Sequence, residues 1–121
     1  MTSPLRRRWR LLLAIATIFA CVMATLPHPP QVPINSDKVQ HMLAFGTLTI
    51  LAVVAYPKAS LLRIGERLSF LGAMIEVVQS IPSLHRDCDI MDWVADTSVI
   101  VGVLAVVAIS RTLGRRHRGA I

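Results

Sequence analysis

The sequence predicts an all-α fold: a polytopic membrane protein with four transmembrane helices and both termini in the cytoplasm, formed by one domain over residues 1–121. Two features of its composition indicate a membrane protein. Apolar residues make up 54% of the 121-residue chain, and charged residues make up 17%, where a soluble domain carries about a quarter. The order of the residues predicts the helices, because four apolar segments follow one another, separated by proline or charged residues.

The first predicted helix covers residues 11–26, a run without charge that ends before Pro27. A helix of this length is about 24 Å long, which is short for a hydrocarbon core of about 30 Å. We therefore expect Trp9 and the aliphatic stems of the preceding arginines to extend the span. The second predicted helix covers residues 39–56. It stops before Pro57, because proline disfavours the helical conformation in the residue that precedes it.

The third and fourth predicted helices cover residues 59–80 and 91–109. The third is the least regular, because its apolar part alone is too short to cross a bilayer. The whole segment, residues 59–80, is long enough to cross the bilayer if its charged start lies at the aqueous boundary. That start contains Arg63, Glu66 and Arg67. Pro82 follows the third helix, and Trp93 near the start of the fourth is a candidate anchor at the membrane interface.

Positive charge orients the four predicted spans. They put both termini and the connection between the second and third helices on one side of the membrane. That side carries 11 of the 13 Lys and Arg residues, and the opposite side holds only Lys38 and Arg86. Because cytoplasmic segments of membrane proteins are rich in Lys and Arg, we expect the basic side to be cytoplasmic.

The first segment also fits a second interpretation. A basic start, an apolar stretch and the sequence Val22-Met23-Ala24 together resemble a cleavable signal peptide. The apolar stretch runs on to Leu26 rather than ending at a clear small-residue site, so an uncleaved first helix is preferred. Cleavage would remove one helix without inverting the other three.

A formal net charge of +6 raises the alternative of nucleic-acid binding, which the placement of the charges argues against. The basic residues flank apolar segments, and aromatic residues make up only 5% of the chain. Proteins that bind single strands combine basic residues with aromatic side chains that stack on the bases. We therefore expect membrane lipid as a partner and no nucleic acid.

Most acidic residues are expected on the outer side of the membrane, near three helix ends. They are Asp37, Glu76, Asp87, Asp89, Asp92 and Asp96. Spacings of three and four residues put side chains on one face of a helix. These spacings pair Asp37 with His41, Glu76 with Gln79, and Asp92 with Asp96. The sequence therefore predicts a polar site at the membrane surface where the three helix ends meet.

Depth separates these polar residues. Asp37 and Asp92 stand at helix starts, where capping and the helix dipole explain an acidic residue as well as a direct role does. His41, Glu76 and Asp96 lie about one turn inside apolar segments. An unpaired charge costs several kcal/mol there, so each must be paired, protonated or in contact with water. We expect Glu76 and Asp96 at similar depth, about 6 Å from their helix ends, with His41 between them.

An ordered set of residues runs from the second helix to the fourth, within residues 37–102. The set is Asp37-Lys38-x-x-His41 with Phe45 and Leu48, then Glu76-x-x-Gln79, Arg86, Asp89 and Asp92. In this order and spacing it resembles the VanZ-like family of small bacterial membrane proteins. The resemblance implies a multi-pass protein of the bacterial inner membrane. The family is named for a member linked to resistance to the glycopeptide teicoplanin, which implies a role in the cell envelope or in antibiotic resistance.

The chain departs from the family pattern at two positions of the fourth helix. Asp96 stands where the family usually has asparagine, and Val99 stands where it has glycine, with Gly102 nearby. An ionised aspartate only accepts hydrogen bonds, whereas asparagine also donates them. The remaining motif positions carry the family's residues.

The first functional hypothesis is a binding or transport module for an anionic headgroup, such as the phosphate of a lipid-linked cell-wall precursor. Lys38 and Arg86 would contact the phosphate. Glu76 and Asp92 would orient the two cations. The candidate ligand-binding residues are Asp37, Lys38, His41, Glu76, Gln79, Arg86, Asp89, Asp92 and Asp96.

The second hypothesis is an intramembrane hydrolase or transferase with His41 as general base and Glu76 or Asp92 as its orienter or as acid. A metal-dependent variant would use the same three residues as ligands. The sequence contains no recognisable nucleophile motif, so binding is favoured over catalysis, and no cofactor is expected. A structural accessory subunit is the third hypothesis. A cavity built from four short helices could also require a second copy of the chain.

Overall fold

The computed structural model describes residues 3–25, 37–81 and 90–119. Within these ranges the chain forms four α-helices and no strand, which confirms the prediction of an all-α fold. The helices are α1 (Pro4–Thr25), α2 (Asp37–Ala55), α3 (Leu61–Gln79) and α4 (Ile90–Gly119).

α1 begins well before the predicted start at residue 11. Pro4 occupies the first helical position, where the fixed φ angle of proline is compatible with the helix. The Ser3 hydroxyl accepts a hydrogen bond from the Arg6 amide at 3.1 Å, as an N-cap residue does. The arginines ahead of the first apolar segment therefore form the first turns of the helix itself.

α4 continues beyond the predicted end at residue 109 as far as Gly119. The extension contains Arg111, Arg115 and Arg116, and arginine is a good helix former. Positive side chains near a helix C-terminus also interact favourably with the helix dipole. Hydropathy marks where a helix leaves an apolar layer, but it does not mark where the helix ends.

A short connection, residues 56–60, joins α2 to α3. It contains Pro57, the residue expected to stop α2. Ser60 caps α3, and its hydroxyl accepts a hydrogen bond from the Arg63 amide at 3.5 Å. Because the connection is short, α2 and α3 are antiparallel neighbours.

α1 and α4 meet this connection at one end of the bundle, which we call the basic end. The Arg10 Nε donates a hydrogen bond to the Ala55 carbonyl at 3.1 Å, and its guanidinium lies 4.3 Å from the centroid of the Tyr56 ring. Arg111 donates a hydrogen bond to the Pro57 carbonyl at 3.5 Å. Successive helices therefore run in opposite directions, and the start of α1 lies at the same end as the last part of α4.

The apolar core is formed by α2, α3 and α4. Its buried side chains are Phe45, Leu48, Ala52, Ile64, Leu68, Ile75 and Ile100. No residue of α1 is fully buried. That helix lays half-buried side chains against the core, namely Leu13, Ala16, Ala20, Cys21 and Ala24. α1 therefore packs on the outside of the other three helices.

Small residues let α3 approach α4 closely. An added Cβ at Gly65 would lie 2.9 Å from a leucine side chain of α4, and one at Gly72 would lie 3.4 Å from the Trp93 ring. Between these glycines, the hydroxyls of Ser69 and Thr97 are hydrogen-bonded at 2.9 Å. Small residues at such positions are typical of helix packing in membranes.

All four helices expose large apolar side chains on the outer surface of the bundle, and α3 also exposes Arg63, Glu66 and Arg67 in its first turns. Phe19, Leu43, Phe70 and Val106, one from each helix, are all more than half exposed. Two helical segments are long and apolar enough to cross a membrane, Pro4–Thr25 and Ile90–His117, and little of either is buried in the bundle. α2 is apolar but shorter, and α3 carries four charged residues.

Candidate functional site

The end of the bundle opposite the basic end contains buried polar side chains from α2, α3 and α4. They are His41, Glu76, Gln79, Asp92 and Asp96, and we call them the polar cluster. Each has less than a tenth of its surface exposed, and Gln79 and Asp96 have 1%. Aspartate and glutamate are almost never buried without a partner, so their joint burial marks this end as the candidate site.

The polar cluster lies on the same helix faces as the apolar core. On α2, His41 precedes Phe45 and Leu48 at spacings that keep all three on one face. On α4, Asp96 precedes Ile100 by four residues and shares its face. The inward stripe of each helix therefore changes from apolar to polar as it reaches this end.

His41, Glu76 and Asp92 form a compact group. One imidazole nitrogen or carboxylate oxygen of each residue lies within 4.8 Å of those of the other two. The imidazole Nδ1 also lies 3.7 Å from Oδ2 of Asp96. His41 is therefore next to acidic residues of both α3 and α4.

Asp96 lies deeper in the bundle than expected. It is six residues into α4, about 9 Å from the helix start, because α4 begins at Ile90. Glu76 is three residues from the end of α3, about 4.5 Å. The expectation of similar depth for these two acids is therefore wrong, and Asp92 is the α4 residue that forms a group with Glu76.

Neither carboxylate oxygen of Asp96 accepts a hydrogen bond within the described part of the chain, although both are inaccessible to solvent. Its contact with His41 at 3.7 Å is electrostatic, because that distance exceeds hydrogen-bond length. Gly72 of α3 lies beside this carboxylate, and a Cβ added there would be in van der Waals contact with Asp96 Oδ2 at 3.7 Å. A buried carboxylate without hydrogen bonds is costly, and a positively charged group beside it would offset that cost.

Gln79 connects this end of the bundle to α1. Its Nε2 donates a hydrogen bond to the Ala24 carbonyl at 2.7 Å. That carbonyl belongs to the last turn of α1, where carbonyls have no donor within the helix. The spacing of three residues places Gln79 on the same helix face as Glu76, but the Gln79 amide nitrogen points towards α1.

Four of the candidate ligand-binding residues cannot be compared with this geometry. The side chains of Asp37 and Lys38, and the whole of Arg86 and Asp89, lie outside the described residues. Asp37 and Lys38 belong to the first turn of α2, and Arg86 and Asp89 belong to residues 82–89, between α3 and α4. Both cations of the predicted site are in this set.

The contact between α3 and α4 beside the site is made by residues outside the motif, namely Trp93, Ser69 and Gly72. The Trp93 indole N–H donates a hydrogen bond to the Ser69 carbonyl at 3.0 Å, and its ring lies against Gly72. Trp93, the candidate anchor at the membrane interface, is therefore hydrogen-bonded to α3. The available signal was the spacing of Gly65, Ser69 and Gly72 at four and three residues, since small residues at such spacings allow close packing.

The polar cluster combines one imidazole and three carboxylates with the Gln79 amide. Imidazole and carboxylate groups transfer protons in enzymes and ligate divalent metal ions. They are not by themselves complementary to a phosphate, which binds to cations and to N–H donors. An anionic ligand at this end would therefore need positive charge in addition to the polar cluster.

Comparisons of the chain with models of protein families, with curated proteins and with solved structures find no match. The resemblance to the VanZ-like family therefore remains a prediction from the motif residues.

Proposed function

We propose that the chain is a VanZ-like, four-span protein of the bacterial inner membrane that binds an anionic headgroup at its polar end, such as a lipid-linked phosphate of the cell envelope. The polar cluster carries this proposal, because three helices bury titratable side chains at one end of a bundle whose helices all expose large apolar side chains. Ionisable residues inside membrane domains typically line binding sites or proton pathways.

The membrane assignment is supported by the distribution of polarity. Each helix exposes large apolar side chains, exposed charged residues lie mainly towards the basic end, and the polar cluster faces inward. Soluble monomers rarely expose contiguous apolar surface on this scale. α1 and α4 are long enough to span, and α2 and α3 have 19 residues each, about 28 Å, which is close to the thickness of the hydrocarbon core.

The four-span topology predicts that both termini and the connection between α2 and α3 lie in the cytoplasm, because Lys and Arg collect on that side. Reporter fusions after Ser60 and after Ile121 should therefore report a cytoplasmic location, and a fusion after Ser83 an external one. An external location at Ile121 would mean either an odd number of spans or an inverted orientation, and both contradict the topology.

We assign the headgroup phosphate to Lys38 and Arg86. Lys38 precedes His41 by about one helical turn, and Arg86 belongs to the segment that joins α3 to α4. Arginine binds a phosphate through two parallel hydrogen bonds, and lysine binds it as a point charge. Glu76 and Asp92 would hold the two cations in place.

Binding of an anionic lipid tests this assignment. The full chain in detergent is titrated with a polyprenyl phosphate or with phosphatidylcholine, and bound lipid is measured by native mass spectrometry. Lys38→Ala and Arg86→Ala should each weaken polyprenyl phosphate binding at least about tenfold, since a hydrogen bond to a charged group contributes about 1.5–3 kcal/mol. Lys58→Ala removes the same charge at an exposed position of the basic end and should have little effect. Equal weakening by all three variants would indicate nonspecific attraction and contradict the assignment.

A hydrolase or transferase that acts on such a headgroup is the second candidate. The compact group of His41, Glu76 and Asp92 favours it, because an imidazole near two carboxylates can serve as a general base with an orienting acid. Polyprenyl pyrophosphate, added to the same preparation, distinguishes the two functions. Continuous release of phosphate that His41→Ala abolishes supports the hydrolase, whereas binding without release supports the binding module.

A further inference from the structure

We propose that His41, Glu76 and Asp92 bind one divalent transition-metal ion, and that Asp96 holds the His41 imidazole in position for it. This departs from the expectation that the protein has no cofactor. The metal site shares Glu76 and Asp92 with the proposed lipid site, but metal binding can be measured without any lipid.

Geometry is the first argument. The three donor atoms come from α2, α3 and α4 and lie within 4.8 Å of one another. Ligand atoms bound tetrahedrally at about 2.0–2.1 Å from a zinc ion are about 3.3 Å apart. Each donor atom would have to move by about 1 Å to close the group around an ion, a shift of the size that a change in side-chain torsion produces.

Asp96 is the second argument, and it is independent of the first. It is 1% exposed, and neither of its oxygens accepts a hydrogen bond from the residues that the structure describes. Because His41 directs Nδ1 towards Asp96, we assign Nε2 to the ion. Histidines that bind metals almost always donate their second N–H to a group such as a carboxylate, which sets the tautomer and the ring orientation. This role explains why an aspartate is buried where the VanZ-like pattern has asparagine.

Charge is the third argument. The polar cluster places three carboxylates around one imidazole, so negative charge exceeds positive charge even when the imidazole is protonated. Like charges this close together in an apolar layer repel each other strongly. A divalent cation would offset two of these negative charges.

The donor set favours a transition metal over Mg²⁺ or Ca²⁺. Magnesium and calcium prefer sites made of oxygen, whereas imidazole is a common ligand of zinc, iron, nickel and copper. One imidazole with two carboxylates suits Zn²⁺ and also accommodates Mn²⁺. Three protein ligands leave a coordination position open, as in catalytic zinc sites. A headgroup phosphate would fill that position, and this last step alone rests on the proposed function.

Metal binding by the full chain in detergent tests the proposal. Protein treated with EDTA is dialysed against micromolar ZnCl₂, MnCl₂ or MgCl₂, and the bound metal is measured by elemental analysis. CoCl₂ serves as an optical probe, because the visible absorption of bound Co²⁺ reports its ligands. We expect one Zn²⁺ or Co²⁺ per chain and no retention of Mg²⁺.

Three variants and a control locate the ion. Glu76→Gln and Asp92→Asn keep the side-chain shape but remove a ligand charge, and each should weaken Zn²⁺ binding by about 100-fold or more. Glu66→Gln makes the same change at an exposed position of α3 and should bind as the native chain does. Asp96→Asn should weaken binding about tenfold and shift the Co²⁺ absorption, because outer partners of metal-bound histidines tune the metal site.

Failure of the native chain to bind Zn²⁺, Mn²⁺ or Co²⁺ in a fixed ratio would overturn the proposal without any variant. Native affinity in both Glu76→Gln and Asp92→Asn would also overturn it, and an unchanged Co²⁺ spectrum in Asp96→Asn would remove Asp96 from the site. Binding that appears only after Arg86→Ala would show that arginine is the native partner of these carboxylates. Lipid binding that persists in EDTA would leave the proposed function standing without the metal, and metal binding without lipid binding would do the reverse.

Discussion

Gly72→Leu is expected to push α3 away from α4 and to abolish metal binding together with much of the stability. A Cβ at this position already lies 3.4 Å from both Phe45 and Trp93, which leaves no room for the rest of a leucine side chain. Overpacking costs about 1–3 kcal/mol, and more where the backbone must shift. The midpoint of thermal unfolding in detergent should therefore fall by about 5 °C or more.

Gly102→Leu is the matched control, because it makes the same change at a helical position where an added Cβ has nothing within 4 Å. Leucine has a higher helix propensity than glycine, so the midpoint should stay the same or rise slightly. If Gly72→Leu were as well tolerated as Gly102→Leu, the two helices could not be in close contact beside Asp96.

Asp96→Asn is expected to raise the stability of the metal-free protein, whereas Glu76→Gln is expected to lower function sharply. Asp96→Asn replaces a buried carboxylate, which accepts no hydrogen bond from the described residues, with a neutral amide of the same shape. An unsatisfied buried charge costs more than an unsatisfied neutral group, and we expect a gain of about 1–3 kcal/mol. Asparagine is also the residue of the VanZ-like pattern at this position.

Two measurements test this pair of variants: the unfolding midpoint in EDTA, and the binding of Zn²⁺ and of polyprenyl phosphate. Asp96→Asn should unfold at a higher temperature than the native chain and keep Zn²⁺ binding within about tenfold. Glu76→Gln should lose both ligands, because it removes a metal ligand and a group that orients the cations. A loss of function in Asp96→Asn as complete as in Glu76→Gln would give Asp96 a direct ligand role and contradict its assignment as a positioning residue.

The sequence predicts both ends of the two middle helices, α2 and α3, most accurately. The predicted segments 39–56 and 59–80 agree with α2 and α3 to within two residues at each end. Proline and a serine cap mark these boundaries, and both act locally. The start of α1 and the end of α4 were not predicted, because both contain arginines, which are hydrophilic but also good helix formers. The apolar pattern therefore covers less of the chain than the helix does.

The candidate site was predicted in composition but not in its contacts. His41, Glu76 and Asp92 were grouped because helices in alternating directions bring the same ends together, and these three residues do converge. Gln79 was grouped with them by its spacing, yet its amide nitrogen binds the Ala24 carbonyl of α1. Spacing defines a face of one helix, but it does not define which neighbour that face meets.

The residues alone determine the all-α class, the order of the helices and which ends of α2, α3 and α4 become polar, because these features depend on spacing and on local apolar runs. The packing of the helices decides the rest. The rotation and separation of the helices depend on contacts across the bundle, among them those of Gly65 and Gly72 where α3 lies against α4. Those contacts put Asp92 beside Glu76, and they leave Asp96 a turn deeper, against His41, with no hydrogen bond from the described part of the chain.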